Sequence, residues 1–151
     1  MLEGTQSRSY CIVHLGIHDK CDGKGGTVVL VKSDKGYVFG GYTDVSWSSS
    51  YYGWKSSSES FLFSLKCHAG LPAVKMGIKA GMEGNAVCHY SIYGPIFGGG
   101  HDLCIEPNTN TEFSSRSHVG DAYHLPAGTT DPHFLAGSRK FKVTDYEVFQ
   151  V

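Results

Sequence analysis

Residues Tyr93–Ile105 read YGPIFGGGHDLCI, with three consecutive glycines set between an apolar aromatic run and a His-Asp pair that leads straight into Leu-Cys-Ile. Glycine loses more backbone freedom on folding than any other residue, so three in a row would only weaken a regular strand. The chain at Gly98–Gly100 must therefore turn sharply or let another group come close to its backbone. Two readings follow. In one, the glycines let a strand enter the core beneath Trp47 or Tyr42, and Asp102 accepts hydrogen bonds from backbone donors in the turn. In the other, successive N–H groups near His101 form a nest for an anion.

Around this run, short β-type segments recur with turn signals between them, helical periodicity is scarce, and no internal repeat is present, a pattern that predicts a mainly β fold. The strand candidates are Thr27–Lys32, Tyr37–Tyr42, Ser60–Cys67, Ala73–Ile78, Ala86–Tyr90, Leu103–Glu106 and Lys140–Val151. In Ser60–Cys67 the period of two puts Phe61, Phe63, Leu65 and Cys67 on one face, expected to be the core face. TVVLV at Thr27–Val31 is apolar on both faces, as in a central strand packed on both sides. Tyr10 to about Lys20 fits a helix, because Val13, Ile17 and Cys21 recur every fourth residue and Gly follows. It also fits a strand, because Cys11, Val13, Leu15 and Ile17 alternate.

A chain of 151 residues suits one domain with a sizeable core. Its net charge of −1 leaves no overall electrostatic footprint for nucleic acid or an anionic membrane. Arg139-Lys140 and Lys142 read as a solvated strand face. The five cysteines, Cys11, Cys21, Cys67, Cys88 and Cys104, cannot all pair, and no CxxC is present. No signal peptide, glycosylation acceptor or membrane-spanning run is apparent, which together with the unpaired thiols points to the reducing cytoplasm.

Chemical motifs are weak. Gly23-Lys24-Gly25-Gly26-Thr27 lacks the spacing of a phosphate loop and precedes a strand, so it reads as a turn. Cys67-His68 and Cys88-His89 would point to opposite faces of strands, and no CxxC or HxxxH knuckle suggests structural zinc. The exception is His14 with His18, four apart on the possible helix. No catalytic, cofactor-binding or metal-binding residues are assigned. His101 and Asp102 are neighbours in sequence and poorly placed to orient one another, and Gly-x-Ser-x-Gly is missing.

Between Asp44 and Ser58, VSWSSSYYGWKSSS packs seven Ser, two Trp and two Tyr into what reads as one long connection. Either Trp47 and Trp54 cap the end of a sandwich, or Trp47, Tyr51, Tyr52 and Trp54 present a partner-binding surface, where such rings are enriched.

Taken together in order and spacing, the glycine run, GYVFGGYTDVSWSSS (Gly36–Ser50), SFLFSLKC (Ser60–Cys67) and FLAGSRKFKVTDYEVFQV (Phe134–Val151) resemble the TLDc domain, the module of oxidation-resistance proteins and of several membrane-traffic and interferon-induced proteins. The likeness runs from about Cys21 to Val151. It implies two antiparallel sheets packed as a β-sandwich with one or two short peripheral helices (α+β, mainly β), and it favours the helix at Tyr10–Lys20. Residues 1–9 are then a flexible leader or a remnant of expression cloning, and residues 10–151 a single domain with a shortened N-terminal part. Phe39, Phe61, Phe63, Leu65, Val87, Phe97, Leu103, Phe134, Leu135, Phe141 and Val143 are the expected core. Gly40, Gly41, Gly98, Gly99, Gly100, Asp102, Gly137 and Glu147 match positions that shape the fold. The implied function is a non-enzymatic intracellular interaction module without a cofactor, tied to oxidative-stress protection and to the vacuolar ATPase. The alternative is a redox-active thiol, among Cys21, Cys67, Cys88 and Cys104, or a hydrolytic domain.

Overall fold

A computed structural model describes residues 10–12, 23, 25–48, 53–89, 94–106 and 115–151. They form two antiparallel sheets packed face to face. The first sheet is built from β1 (Tyr10–Ile12), β2 (Thr27–Ser33), β3 (Val38–Thr43), β5 (Phe61–Lys66), β6 (Val74–Gly77) and β12 (Val143–Gln150), in the order β1-β12-β2-β3-β5-β6. The second contains β4 (Gly53–Lys55), β7 (Val87–His89), β8 (Ile96–Phe97), β9 (Leu103–Cys104), β10 (Ser115–Ser117) and β11 (Lys140–Phe141), in the order β11-β10-β9-β8-β7-β4. One 3-10 turn, Glu83–Asn85, is the helical segment among the described residues.

Most strands fall where β-branched and aromatic residues concentrate; β8 and the Ser-Arg-Ser strand β10 were not among the expected strands, and three further differences stand out. Tyr10–Ile12 is not helical; it pairs antiparallel with β12, Tyr10 opposite Phe149 and Ile12 opposite Glu147, so in these residues the strand alternation wins over the helical spacing. The rest of the expected helix, including His14 and His18, lies outside the described residues. Lys140–Val151 is two strands in two different sheets, divided at Lys142, with Phe141 opposite Ser115 and Val148 opposite Val29. The connection after Asp44 holds strand β4, in which Trp54 pairs with Cys88.

The core lies between the sheets. Phe39, Phe97, Leu103, Phe134 and Leu135 are fully buried, with Val87, Phe141 and Val143. Burying such side chains contributes roughly 1.5–3 kcal/mol each. Phe39 meets Phe141 edge to face at 5.3 Å, and Trp47 meets Phe97 at 5.8 Å.

β5 faces the opposite way from the expectation. Leu62 and Ser64 point into the core, while Phe61 and Phe63 are half-buried on the outer face and Leu65 is 55% exposed. A slip of one residue exchanges the two faces of a strand. The glycine pair of β3 makes this register possible. A Cβ at Gly40, opposite Phe63, would stand 2.9 Å from that ring, and a Cβ at Gly41, opposite Leu62, would stand 2.7 Å from the ring of Phe97. Gly40 is held to glycine first by the Val29 backbone carbonyl of β2, which a Cβ would strike, and then by the outer ring of Phe63, whereas Gly41 leaves room for an inner ring. The outer rings cluster, Tyr42 with Phe61 at 5.1 Å, and the Lys75 ammonium stands 4.1 Å above Phe61.

Candidate functional site

The glycine run leaves β8 and turns back into β9. Gly98 adopts a φ of 89°, and the turn closes with the His101 N–H donating to the Gly98 carbonyl at 3.1 Å. A left-handed φ suits a residue without Cβ. His101, at φ 58°, is the one residue other than glycine with a positive φ among the described residues.

Asp102 is completely buried, and it receives the backbone N–H groups of Gly120, Asp121, Ala122 and Tyr123, all at 3.1–3.2 Å from Oδ2, with Ala122 also 3.1 Å from Oδ1. The donors therefore belong to a segment some twenty residues away and not to the aspartate's own turn. A nest of successive N–H groups does exist, at Gly120–Tyr123, and its anion is the chain's own carboxylate. Burial pushes the Asp102 carboxyl above its ordinary value, and the donors Ala122, Tyr123 and Gly120 pull it back. The clasped segment also reaches the first sheet. Lys79 N–H donates to the Ala122 carbonyl, His124 N–H to that of Gly77, and Lys79 Nζ to that of Gly120. Asp102 thus ties an inter-sheet staple to β9. Tyr123 completes it by donating its hydroxyl to the Ala86 carbonyl at 2.7 Å.

The other marked glycines are close-approach points. Cβ atoms at Gly99, Gly100 and Gly137 would stand 3.1 Å from Asn85, 2.8 Å from Asp121 and 2.6 Å from His68. Glu147 lies on β12, paired with Leu30 and Ile12.

On the outer face of the second sheet, Arg116 donates from Nη2 and Nε to His101 Nδ1, at 2.7 and 3.3 Å. Arginine has no acceptor, so Nδ1 carries the lone pair and the proton of neutral His101 sits on Nε2. Burial first, then the charges of Arg116 and Arg139, hold His101 below its ordinary value. Arg116 also lies 3.6 Å from Glu106, and the ring of Trp54 lies 6.4 Å from that of His101. Trp54 is half-buried and covers Cys88, Ile96 and Cys104, a small apolar cluster on this outer face.

Of the aromatic residues expected at a partner surface, Trp47 is removed by the structure. It is 1% exposed, donates from Nε1 to Thr27 Oγ1 at 2.9 Å, and stacks on His89 at 5.3 Å, so it is core. Tyr51 and Tyr52 lie outside the described residues, and Trp54 remains. Ser57 near it builds a turn, its Oγ donating to Asp44 at 2.6 Å and accepting from the N–H of Ser60. Arg116 and His101 were not marked as partner residues from sequence, because the pairing of β9 with β10 that brings Arg116 beside Cys104 is non-local.

Three thiols among the described residues are poorly placed for chemistry. Cys67, Cys88 and Cys104 are buried, and burial pushes Cys104 up to about 12, against a smaller opposing effect of Arg116. A thiol of that kind is not a nucleophile at neutral pH. No group of three or more His, Cys, Asp or Glu side chains suited to a metal ion occurs among the described residues. No helix among them is long and apolar enough to cross a membrane.

A two-sheet antiparallel sandwich closed by an aspartate clasp behind a glycine turn is the architecture on the page, and the family comparison agrees with it. The TLDc domain matches residues 15–151, and the chain belongs to that family. No curated protein matches the chain.

Proposed function

We propose that this TLDc domain works as a non-enzymatic protein-interaction module whose docking surface is centred on Trp54, His101 and Arg116. The observation that carries the reading is the use made of Asp102. The acid of the glycine run is fully engaged by four backbone amides, so the most distinctive stretch of the sequence is spent on holding two sheets together. What it leaves at the surface is a half-buried indole beside an imidazole and a guanidinium, and indole and guanidinium are among the groups enriched at binding hot spots. The burial of three thiols weighs against the redox alternative.

Family resemblance supplies the partner class: subunits of the vacuolar ATPase, in the cytoplasm, with a role in oxidative-stress protection. The test is recovery of purified vacuolar ATPase subunits on the immobilised full chain. Trp54→Ala and Arg116→Glu are expected to reduce capture at least tenfold while the chain stays folded. Capture unchanged in both variants overturns the surface, and no capture by the parent chain overturns the partner.

A further inference from the structure

We propose that His118 and His133 form a two-histidine chelating site for a divalent first-row transition metal of the zinc class. The rings meet edge-on at 62°, with His118 Nδ1 3.1 Å from His133 Nε2 and their centroids 5.1 Å apart. Only one proton fits between two such nitrogens, so at least one presents a lone pair to the other. An ion held at the usual 2.0–2.1 Å from imidazole nitrogen would subtend about 100° between nitrogens at this separation, between the tetrahedral angle and a right angle. The nitrogen separation needed for chelation is thus already present, and binding further requires the rings to turn so that both lone pairs meet at the ion.

Both histidines stand on fixed backbone. The His118 N–H donates to the Asp102 carbonyl at 3.1 Å, and the next N–H, of Val119, donates to the Pro132 carbonyl at 2.9 Å, which lays the two stretches side by side. The His133 N–H donates to Asp131 Oδ1 at 2.9 Å, and the buried Phe134 anchors the following residue. Asp131 Oδ1 also lies 4.0 Å from His133 Nδ1. That is the side of the ring away from His118. A carboxylate on that side, once closed to hydrogen-bond distance, would hold the proton on Nδ1 and leave Nε2 for the metal, the usual arrangement behind a metal-bound histidine.

Imidazole pairs select zinc, nickel or copper over the calcium and magnesium that require oxygen ligands. His118 is exposed and His133 partly so, and water completes the coordination.

Zinc titration of the full chain, tag removed, by calorimetry tests the proposal. One equivalent is expected to bind, weakened tenfold or more in His118→Ala and in His133→Ala and severalfold in Asp131→Asn, with His124→Ala as a control that binds like the parent. Circular dichroism melts establish that the variants fold. Absence of zinc binding by the parent, or parent-like affinity in both histidine variants, overturns the site.

Discussion

A side chain at Gly98 and the carboxylate of Asp102 exclude one another: a Cβ on Gly98 would lie 1.9 Å from Asp102 Oδ1. Because that carboxylate holds the Gly120–Tyr123 segment, the glycine turn and the inter-sheet staple form one unit, and the first glycine is the position that cannot change.

Gly98→Ala is therefore expected to destabilise the fold by roughly 2–4 kcal/mol, from positive-φ strain and disruption of the clasp. Gly99 has no positive φ, and its Cβ would meet only the Asn85 side chain at 3.1 Å, so Gly99→Ala is expected to cost about 1 kcal/mol or less. Thermal unfolding of the two variants side by side decides this, and equal melting temperatures would contradict the clasp.

Removing the acceptor has a parallel effect. Asp102→Ala strands buried N–H groups, a loss of about 3 kcal/mol or more. Hydrogen exchange at Ala122 and Tyr123 is expected to accelerate more than the global change in stability explains; exchange that tracks global stability alone would deny Asp102 its local role.

Trp47→Ala and Trp54→Ala should part company. Deleting the core ring at 47 is expected to cost about 3–5 kcal/mol, and deleting the half-buried ring at 54 about 1–2 kcal/mol. Chemical denaturation measures both, and a larger loss at 54 would place the structural weight on the wrong tryptophan.

Gly41 and Phe97 share a space on the core side of β3, so Gly41→Ala should be rescued in part by Phe97→Leu. A double-mutant cycle is expected to give a coupling of about 1 kcal/mol or more, with the pair less destabilised than the sum of the singles. Simple additivity would mean that the ring does not respond to the added methyl.

The pH dependence follows from His101. Its folded value lies below the ordinary 6.5, so the unfolded chain binds the proton more readily. Its contribution to stability is complete above that ordinary value and is lost as pH falls from 6.5 through the folded value. Arg116→Gln removes a neighbouring positive charge and should raise the His101 value, read from ring-proton shifts by NMR titration. A titration unmoved by the substitution would show that Arg116 plays no part in setting it and leave burial and Arg139.

Local sequence determined where most strands lie. The β-branched and aromatic runs at Thr27–Ser33, Val38–Thr43 and Val143–Gln150 are strands because such side chains suit a pleated, partly buried surface. It also marked Gly98–Gly100 as special, since three adjacent glycines signal close approach before any partner is known, whereas Gly40 and Gly41 were marked only through the family resemblance.

What it could not determine was which distant group each of these met. The period of two labels two faces of β5 but not which one is inside, and its outer face is itself aromatic, so Phe61, Phe63 and Leu65 misled. Alternation runs unbroken through Lys142, yet the two halves of that segment serve different sheets. Trp47 and Trp54 sit in the same serine-rich stretch, and their burial depends on Thr27, His89 and Cys88, which pairing across the sheets brings to them. Asp102 meets its four donors, and His118 its partner His133, only after long loops close. Such juxtapositions are tertiary because hydrogen bonding and packing act through space, while composition and periodicity report only on neighbours along the chain.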